Sequence, residues 1–115
     1  MIDFACKQFN LDEIIKCAFG LSKADLKIMK FLMKNENKSF TTDEISAKLL
    51  LDLTTIQRGV KKLSEKNVIL RTQENLDKGG YVFIYRIKSR KAISETVMKI
   101  VNNWSKKVEY ELNSW

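Results

Sequence analysis

The sequence predicts a mainly helical α+β fold in which four helices precede a β-hairpin and one long helix follows it. Four segments with helical spacing of apolar residues each follow a residue type that caps helices. Two runs rich in β-branched and aromatic residues then flank a glycine-bearing turn. Helical spacing returns after the hairpin and continues for the rest of the chain. At 115 residues, the chain has enough length for one modest core.

The first two predicted helices have identifiable start and stop residues. Asn10 stands where it would cap a helix over about Leu11 to Phe19, and Gly20 is suited to end that helix. Ser22 stands where it would cap a second helix, roughly Lys23 to Lys34. These caps predict a helix pair at the beginning of the chain.

The next two predicted helices have the layout of a helix-turn-helix, in which a short helix, a tight turn and a second helix follow one another. Thr41-Thr42-Asp43-Glu44 fits a capping box, which opens the short helix to about Leu50. Asp52 would cap the second helix, which is predicted to run to Lys66. Asn67 follows, and asparagine tolerates the left-handed conformation needed there.

The β-hairpin is predicted from Val68–Asn75 and Tyr81–Lys88, with a turn at Leu76–Gly80. Its aromatic residues have two interpretations. They could stack on bases, as on sheets that bind single-stranded nucleic acid. We favour a structural role, because a two-stranded hairpin needs an apolar face that packs on helices, and alternation supplies one at Phe83, Tyr85 and Ile87.

The net charge of +7 is confined to one part of the chain. Ten cationic and three anionic residues lie between Leu53 and Lys91, and the charges elsewhere sum to zero. A lysine-rich solubilising surface would not need this confinement, whereas a face that binds a polyanion would.

The composition of the chain argues against several classes of function. The chain has no histidine, which removes the usual general base and most zinc sites, so we expect neither an enzyme nor a metal or other cofactor. No apolar run is long enough to span a membrane and no signal peptide is evident, so we expect a cytoplasmic protein. Cys6 and Cys17 form no CxxC pair; they are expected to be free thiols rather than a redox switch.

The second helix of the helix-turn-helix carries the candidate functional residues. Ile56, Val60 and Leu63 share one side, which should be buried. The opposite side presents residue types that read base edges or contact phosphates, namely Thr54, Gln57, Arg58, Lys61 and Lys62. The hairpin adds Lys78 at its tip and Arg71 and Arg86 on its strands. The expected partner is double-stranded DNA.

These segments resemble the winged helix-turn-helix regulators of the MarR and TrmB types. Leu21 to Leu32 looks like their opening helix, and Thr42 to Leu50 is similar to their T-x-x-E-I/L-A-x-x-L helix. Leu53 to Ile69 matches their recognition-helix pattern, with Asn67 where the pattern has glycine. The resemblance implies a transcriptional regulator that binds a pseudo-palindromic site as a dimer. It also implies that Thr55 contributes to the recognition surface with the residues named above.

The last helix is predicted to form a homodimer. One apolar stripe runs along it, too long for a helix that only covers its own core, and it comprises Ile93, Val97, Ile100, Val101, Trp104, Val108, Leu112 and Trp115. Pairing with a second copy, with help from Phe4 and Phe9, would cover the stripe. The alternative is a helix that folds back on its own domain.

The predicted organisation has three parts. Residues 1–20 form an N-terminal helical segment that supports the dimer or core, residues 21–88 form the winged helix-turn-helix, and residues 89–115 form the dimerisation helix. The leading function is sequence-specific DNA binding. The alternatives are a non-specific, chromatin-like DNA-binding protein and a winged-helix module that binds other proteins.

Overall fold

The computed structural model describes all residues from Met1 to Trp115. The elements in chain order are β1 (Ile2–Phe4), β2 (Lys7–Phe9), α1 (Leu11–Phe19), α2 (Lys23–Lys34), α3 (Thr42–Leu49), α4 (Leu53–Glu65), β3 (Ile69–Asn75), β4 (Tyr81–Ile87) and α5 (Arg90–Asn113). They form two compact units, one of residues 21–89 and one of residues 1–20 with 90–115. The predicted winged helix-turn-helix is confirmed, with β3 and β4 as the wing.

The helix boundaries follow from local capping. The Ser22 hydroxyl accepts a hydrogen bond from the Asp25 backbone N–H at 3.1 Å, and the Asp25 carboxylate accepts one from the Ser22 N–H at 2.9 Å. Thr41 and Glu44 make the same reciprocal pair at the start of α3. Such boxes satisfy N–H groups that have no partner within the helix. The start residues predicted for these helices are therefore confirmed.

The turn between α3 and α4 is held by its backbone conformation and by one side chain. Leu50 adopts the left-handed conformation at φ 56°, which ends α3. The Ser46 hydroxyl donates a hydrogen bond to the Leu51 carbonyl oxygen. After α4, Asn67 has φ 62°, so the predicted left-handed residue is confirmed at that position.

The hydrophobic core of residues 21–89 lies on the inner side of α4. Ile56, Val60 and Leu63 are buried as predicted, and they join apolar residues of the neighbouring elements, including Leu21, Ile28, Met29, Leu32, Ile45, Val68 and Ile69. Helix α4 packs against both α2 and α3. Its inner side is therefore fully used by packing.

Gly59 lies at a close contact between α4 and α2. A Cβ atom on Gly59 would lie 2.3 Å from the Ile28 Cδ1 atom and 3.2 Å from an Asp25 carboxylate oxygen. Ile28 is fully buried, which limits how far its side chain can move. The glycine thus permits a helix contact that any larger residue would push apart.

The wing is an antiparallel hairpin with Ile69 opposite Ile87 and Asn75 opposite Tyr81. Tyr85 and Ile87 are buried, as predicted for the inner face, whereas Phe83 is half-buried. Tyr85 also exchanges two backbone hydrogen bonds with Phe40, at 2.8 and 2.9 Å. This bridge joins the wing to the chain immediately before α3.

The second unit contains α1, α5 and a hairpin that the sequence analysis did not predict. Asn10 caps α1 by accepting from the Glu13 N–H at 2.8 Å, and Gly20 ends it at φ 64°. Strands β1 and β2 pair antiparallel, so residues 1–20 are not helical throughout. Helix α1 packs against α5. No helix in either unit combines the length and apolar character that crossing a membrane requires.

We expect Gly59→Ala to lower the free energy of unfolding in urea denaturation by up to about 2 kcal/mol. This is the overpacking cost of roughly 1–3 kcal/mol less the helix preference of about 1 kcal/mol for alanine over glycine. The double variant Gly59→Ala/Ile28→Val removes the clashing Cδ1 atom and should lose less than the sum of the two single changes. Additive losses, or a stabilised Gly59→Ala, would contradict this packing.

Candidate nucleic-acid interface

The outer side of α4 is the centre of the candidate interface. Thr54, Gln57, Arg58 and Lys61 are all exposed, as the helical spacing predicts for the side opposite Ile56. Their shared exposure follows from the packing of the inner side against α2 and α3. The helix therefore presents a hydroxyl, an amide and two cations outward along one surface.

Two predicted contact residues have partners within the protein. Thr55 is half-buried; its backbone N–H and its hydroxyl donate hydrogen bonds to the Asp52 carboxylate at 3.0 and 3.1 Å. The Lys62 ammonium lies 3.5 Å from an Asp25 carboxylate oxygen, with the lysine side chain 43% exposed and the aspartate side chain 8% exposed. Contacts of Thr55 and Lys62 with DNA remain predictions, and both residues already help to hold α4.

Asp25 was missed by sequence reasoning. It is 5% exposed, caps α2 through Ser22 and pairs with Lys62 of α4. The Ser22-x-x-Asp25 spacing indicates the cap, but not the ion pair. A carboxylate in this position helps to fix α4 against α2, because an unpaired buried charge is unfavourable.

The N-terminus of α4 is capped by an ionised side chain. The Thr55 backbone N–H, and then its hydroxyl, donate hydrogen bonds that lower the pKa of the Asp52 carboxyl below its usual 3.8, with a smaller contribution from the Arg58 charge. The ionised carboxylate also lies at the positive end of the helix dipole. The first turn of α4 is thereby fixed.

The wing cations do not lie on a single face. Arg71 is opposite Tyr85, and Arg86 is opposite Leu70, so the pleat directs the two arginines to different faces of the hairpin. The Arg71 guanidinium lies 4.4 Å from the centre of the Phe83 ring, an arrangement that orients the cation. Lys78 is exposed in the turn at the tip.

An open cleft joins α4 to the wing. It has a volume of about 250 Å³ and is lined by Thr41, Thr42, Asp43, Gln57, Val82, Phe83 and Tyr85. Gln57 and Phe83 therefore border one depression, on the face of the wing that also carries Arg71.

The apolar stripe of α5 changes character along its length. Ile93 is buried, and Val97, Ile100 and Val101 are half-buried. The remaining stripe residues are exposed by 56% at Trp104, 38% at Val108, 58% at Leu112 and 99% at Trp115. This exposed part of the stripe is the surface that the predicted homodimer would cover. The homodimer itself stays a prediction.

The capped helix pair, the outward side of α4 and the hairpin tied to Phe40 define a winged helix-turn-helix protein. Within that class, the family model of the DnaD N-terminal domain matches residues 9–108. The chain therefore belongs to the DnaD N-terminal domain family. The resemblance to MarR and TrmB regulators is confirmed for the winged-helix fold, which this chain shares with solved structures of MarR and MepR from S. aureus.

Three similar proteins differ in how much sequence they share with this chain. A possible transcriptional regulator from Methanosarcina mazei Go1 is 48% identical with a TM-score of 0.94, over 100% of this chain and 96% of that chain. The uncharacterized protein MJ1503 of Methanocaldococcus jannaschii is 27% identical over 92% of this chain and 84% of its own length. A MepR mutant of S. aureus, bound to an oligodeoxyribonucleotide, shares 11% identity and a TM-score of 0.57, over 86% of this chain and 71% of that chain. The last comparison shows the same fold.

We expect the stability difference between the protein and its Asp52→Asn variant to depend on pH. Asparagine also caps helices, so the variant removes the charge but keeps the cap. Because the folded-state pKa lies below 3.8, the stability from this carboxylate is present above that value and is lost as the pH falls through the lowered pKa. Thermal unfolding between about pH 6 and about pH 2.5 measures the difference. A constant difference over this range would contradict the assignment.

Proposed function

We propose that this protein is a homodimeric, sequence-specific double-stranded DNA-binding protein that regulates transcription. The observation that carries the proposal is the outward side of α4, where Thr54, Gln57, Arg58 and Lys61 are exposed together beside the wing. The confinement of the chain's excess positive charge to residues 53–91 supports a polyanionic partner for that surface.

In this proposal α4 enters the major groove with its N-terminal half toward the bases. Arginine can donate two hydrogen bonds to a guanine edge, and threonine and glutamine can bond to base edges as well. Lys61 lies further along the helix, where a phosphate contact suits a mobile point charge. The capped first turn and the Asp25–Lys62 pair would hold these groups in place before DNA arrives.

The wing extends the proposed contact. Arg71 and the tip residue Lys78 are suited to the phosphate backbone or the minor groove, because Arg71 is on the face that borders α4 across the cleft. Arg86 is on the opposite face, so its proposed contact is with a phosphate on the far side of the wing.

The proposed dimer uses the exposed part of the α5 stripe. Two tryptophans and two aliphatic residues open to solvent form an apolar surface that association would cover, and the exposed Phe4 adds to it. A two-fold dimer would place its recognition helices at half-sites about 34–36 Å apart.

The comparisons support the proposal at two levels. The Methanosarcina mazei relative carries the description "possible transcriptional regulator", and it spans nearly the same length as this chain. The MepR mutant is described as bound to an oligodeoxyribonucleotide, so the shared fold is compatible with DNA binding.

Selection of bound duplexes from a random pool tests specificity directly. A palindromic motif bound about 10³-fold more tightly than random DNA would support the proposal, and equal affinities would indicate a chromatin-like coating protein.

We expect Arg58→Ala to weaken binding to the selected duplex by about 1–3 kcal/mol, because a bidentate contact with guanine would be lost. Fluorescence anisotropy measures the affinity, and relaxed preference at one base pair per half-site should accompany the loss. Lys27→Ala, an exposed cation on α2, serves as the control and should leave affinity nearly unchanged. An unaffected Arg58→Ala variant would contradict the assignment of α4 as the recognition helix.

Lys61 and Lys62 form a matched pair for the salt dependence of binding. If each contacts a phosphate, each alanine variant should weaken all sequences alike and reduce the salt slope by about one. The ion pair with Asp25 leads us to expect that slope change for Lys61→Ala, and a smaller one with lower stability for Lys62→Ala. Unchanged slopes in both variants would remove the phosphate contacts from α4.

We expect a dimer at micromolar concentration in sedimentation equilibrium. Trp104→Asp should shift the protein toward monomer, because a charge would be buried in the apolar interface. Lys106→Asp, on the other side of α5, provides a charge-changing control that should remain dimeric. A monomeric parent protein would contradict the proposed assembly.

A further inference from the structure

Two leucines beside the start of α4 leave part or most of their side chains exposed to solvent. Leu50, which ends α3, is 90% exposed, and Leu53, the first residue of α4, is 38% exposed. They stand on either side of Asp52, the residue that caps α4. Most of the Leu50 side chain therefore gains nothing from burial in the free protein.

Leu50 also has an unfavourable backbone. Its φ of 56° lies in the left-handed region, where a side chain with a Cβ atom is disfavoured and glycine is preferred. Residues held in such conformations are concentrated at functional sites. Leu50 therefore has an unfavourable backbone conformation and gains little from burial in the free protein.

The neighbouring side chains narrow the kind of partner. The exposed residues that follow along α4 are polar or cationic, Thr54, Gln57, Arg58 and Lys61, which favours a polyanion over an apolar protein surface. In the proposed function, the start of α4 meets base edges in the major groove. The C5-methyl group of thymine is the apolar group that those edges present.

We propose that Leu50 and Leu53 are specificity-determining residues that contact thymine methyl groups in the major groove. This inference rests on the proposed DNA binding and adds the identity of bases that the polar residues of α4 would not distinguish by hydrogen bonding. Each half-site then contains thymines next to the bases read by Thr54 and Arg58. The strained turn presents Leu50, and the Asp52 cap fixes Leu53.

Replacement of thymine by deoxyuridine tests the inference, because deoxyuridine lacks only the methyl group. Starting from the selected duplex, single thymines are replaced in turn and affinities are measured by fluorescence anisotropy. We expect a loss of about fourfold at one or two thymines per half-site, the value for one buried carbon group. Deoxyuridine elsewhere should have no effect.

The variants Leu53→Ala and Leu50→Gly should each lose this discrimination at one of those thymines. Leu50→Gly should also unfold at a higher temperature, because glycine relieves the left-handed strain, which shows that the variant is folded. Leu70→Ala removes a leucine of β3 that is 43% exposed and serves as the control; it should keep the full preference for thymine.

The possible failures are distinguishable. Absence of duplex binding by the parent protein would overturn both the proposed function and this inference. Sequence-specific binding that is equal for thymine and deoxyuridine at every position would overturn the inference alone. Discrimination that persists in the Leu53→Ala or Leu50→Gly variant would overturn the role of that leucine.

Discussion

The close approach of α4 to α2 at Gly59 is the constraint on which the candidate interface depends. With no side chain at this position, Ile28 fills the contact and the Asp25 carboxylate lies within 3.5 Å of the Lys62 ammonium. Helix α4 is thus held on its inner side by apolar packing and by an ion pair. Its opposite side is left to polar and cationic residues, and their common orientation follows from this packing. The chemistry of the surface is therefore a consequence of the core.

The wing is positioned by a different kind of contact. Two backbone hydrogen bonds between Phe40 and Tyr85 join β4 to the residue that precedes the α3 cap. Beyond this bridge, the Arg71 guanidinium lies over the Phe83 ring, and Phe83 contacts Tyr81 edge-on toward the tip of the hairpin. The aromatic residues therefore change role along one strand, from core packing at Tyr85 to support of an exposed cation at Phe83. These contacts support a structural role, rather than base stacking, for Phe83 and Tyr85.

Local signals in the sequence predicted the helices and the wing. Contacts between residues far apart in the sequence could not be predicted from such signals. Asn10, Ser22, Thr41 and Asp52 act on residues within the next turn, so their caps could be read directly. The pair between Asp25 and Lys62 joins distant residues and leaves no periodic pattern. Strands β1 and β2 have three residues each, too few for alternation to be recognised. The outward residues of α4 were predictable because helical spacing fixes both sides of a helix at once.

The proposed DNA contacts lie on the outward side of α4 and on the wing. Titration of the isotopically labelled protein with its selected duplex, followed by amide chemical shifts in NMR spectra, tests that claim residue by residue. We expect the largest changes in the first half of α4, around Thr54 and Arg58, and at the wing tip near Lys78. Changes concentrated in α1 or α5, or spread evenly over the chain, would contradict it.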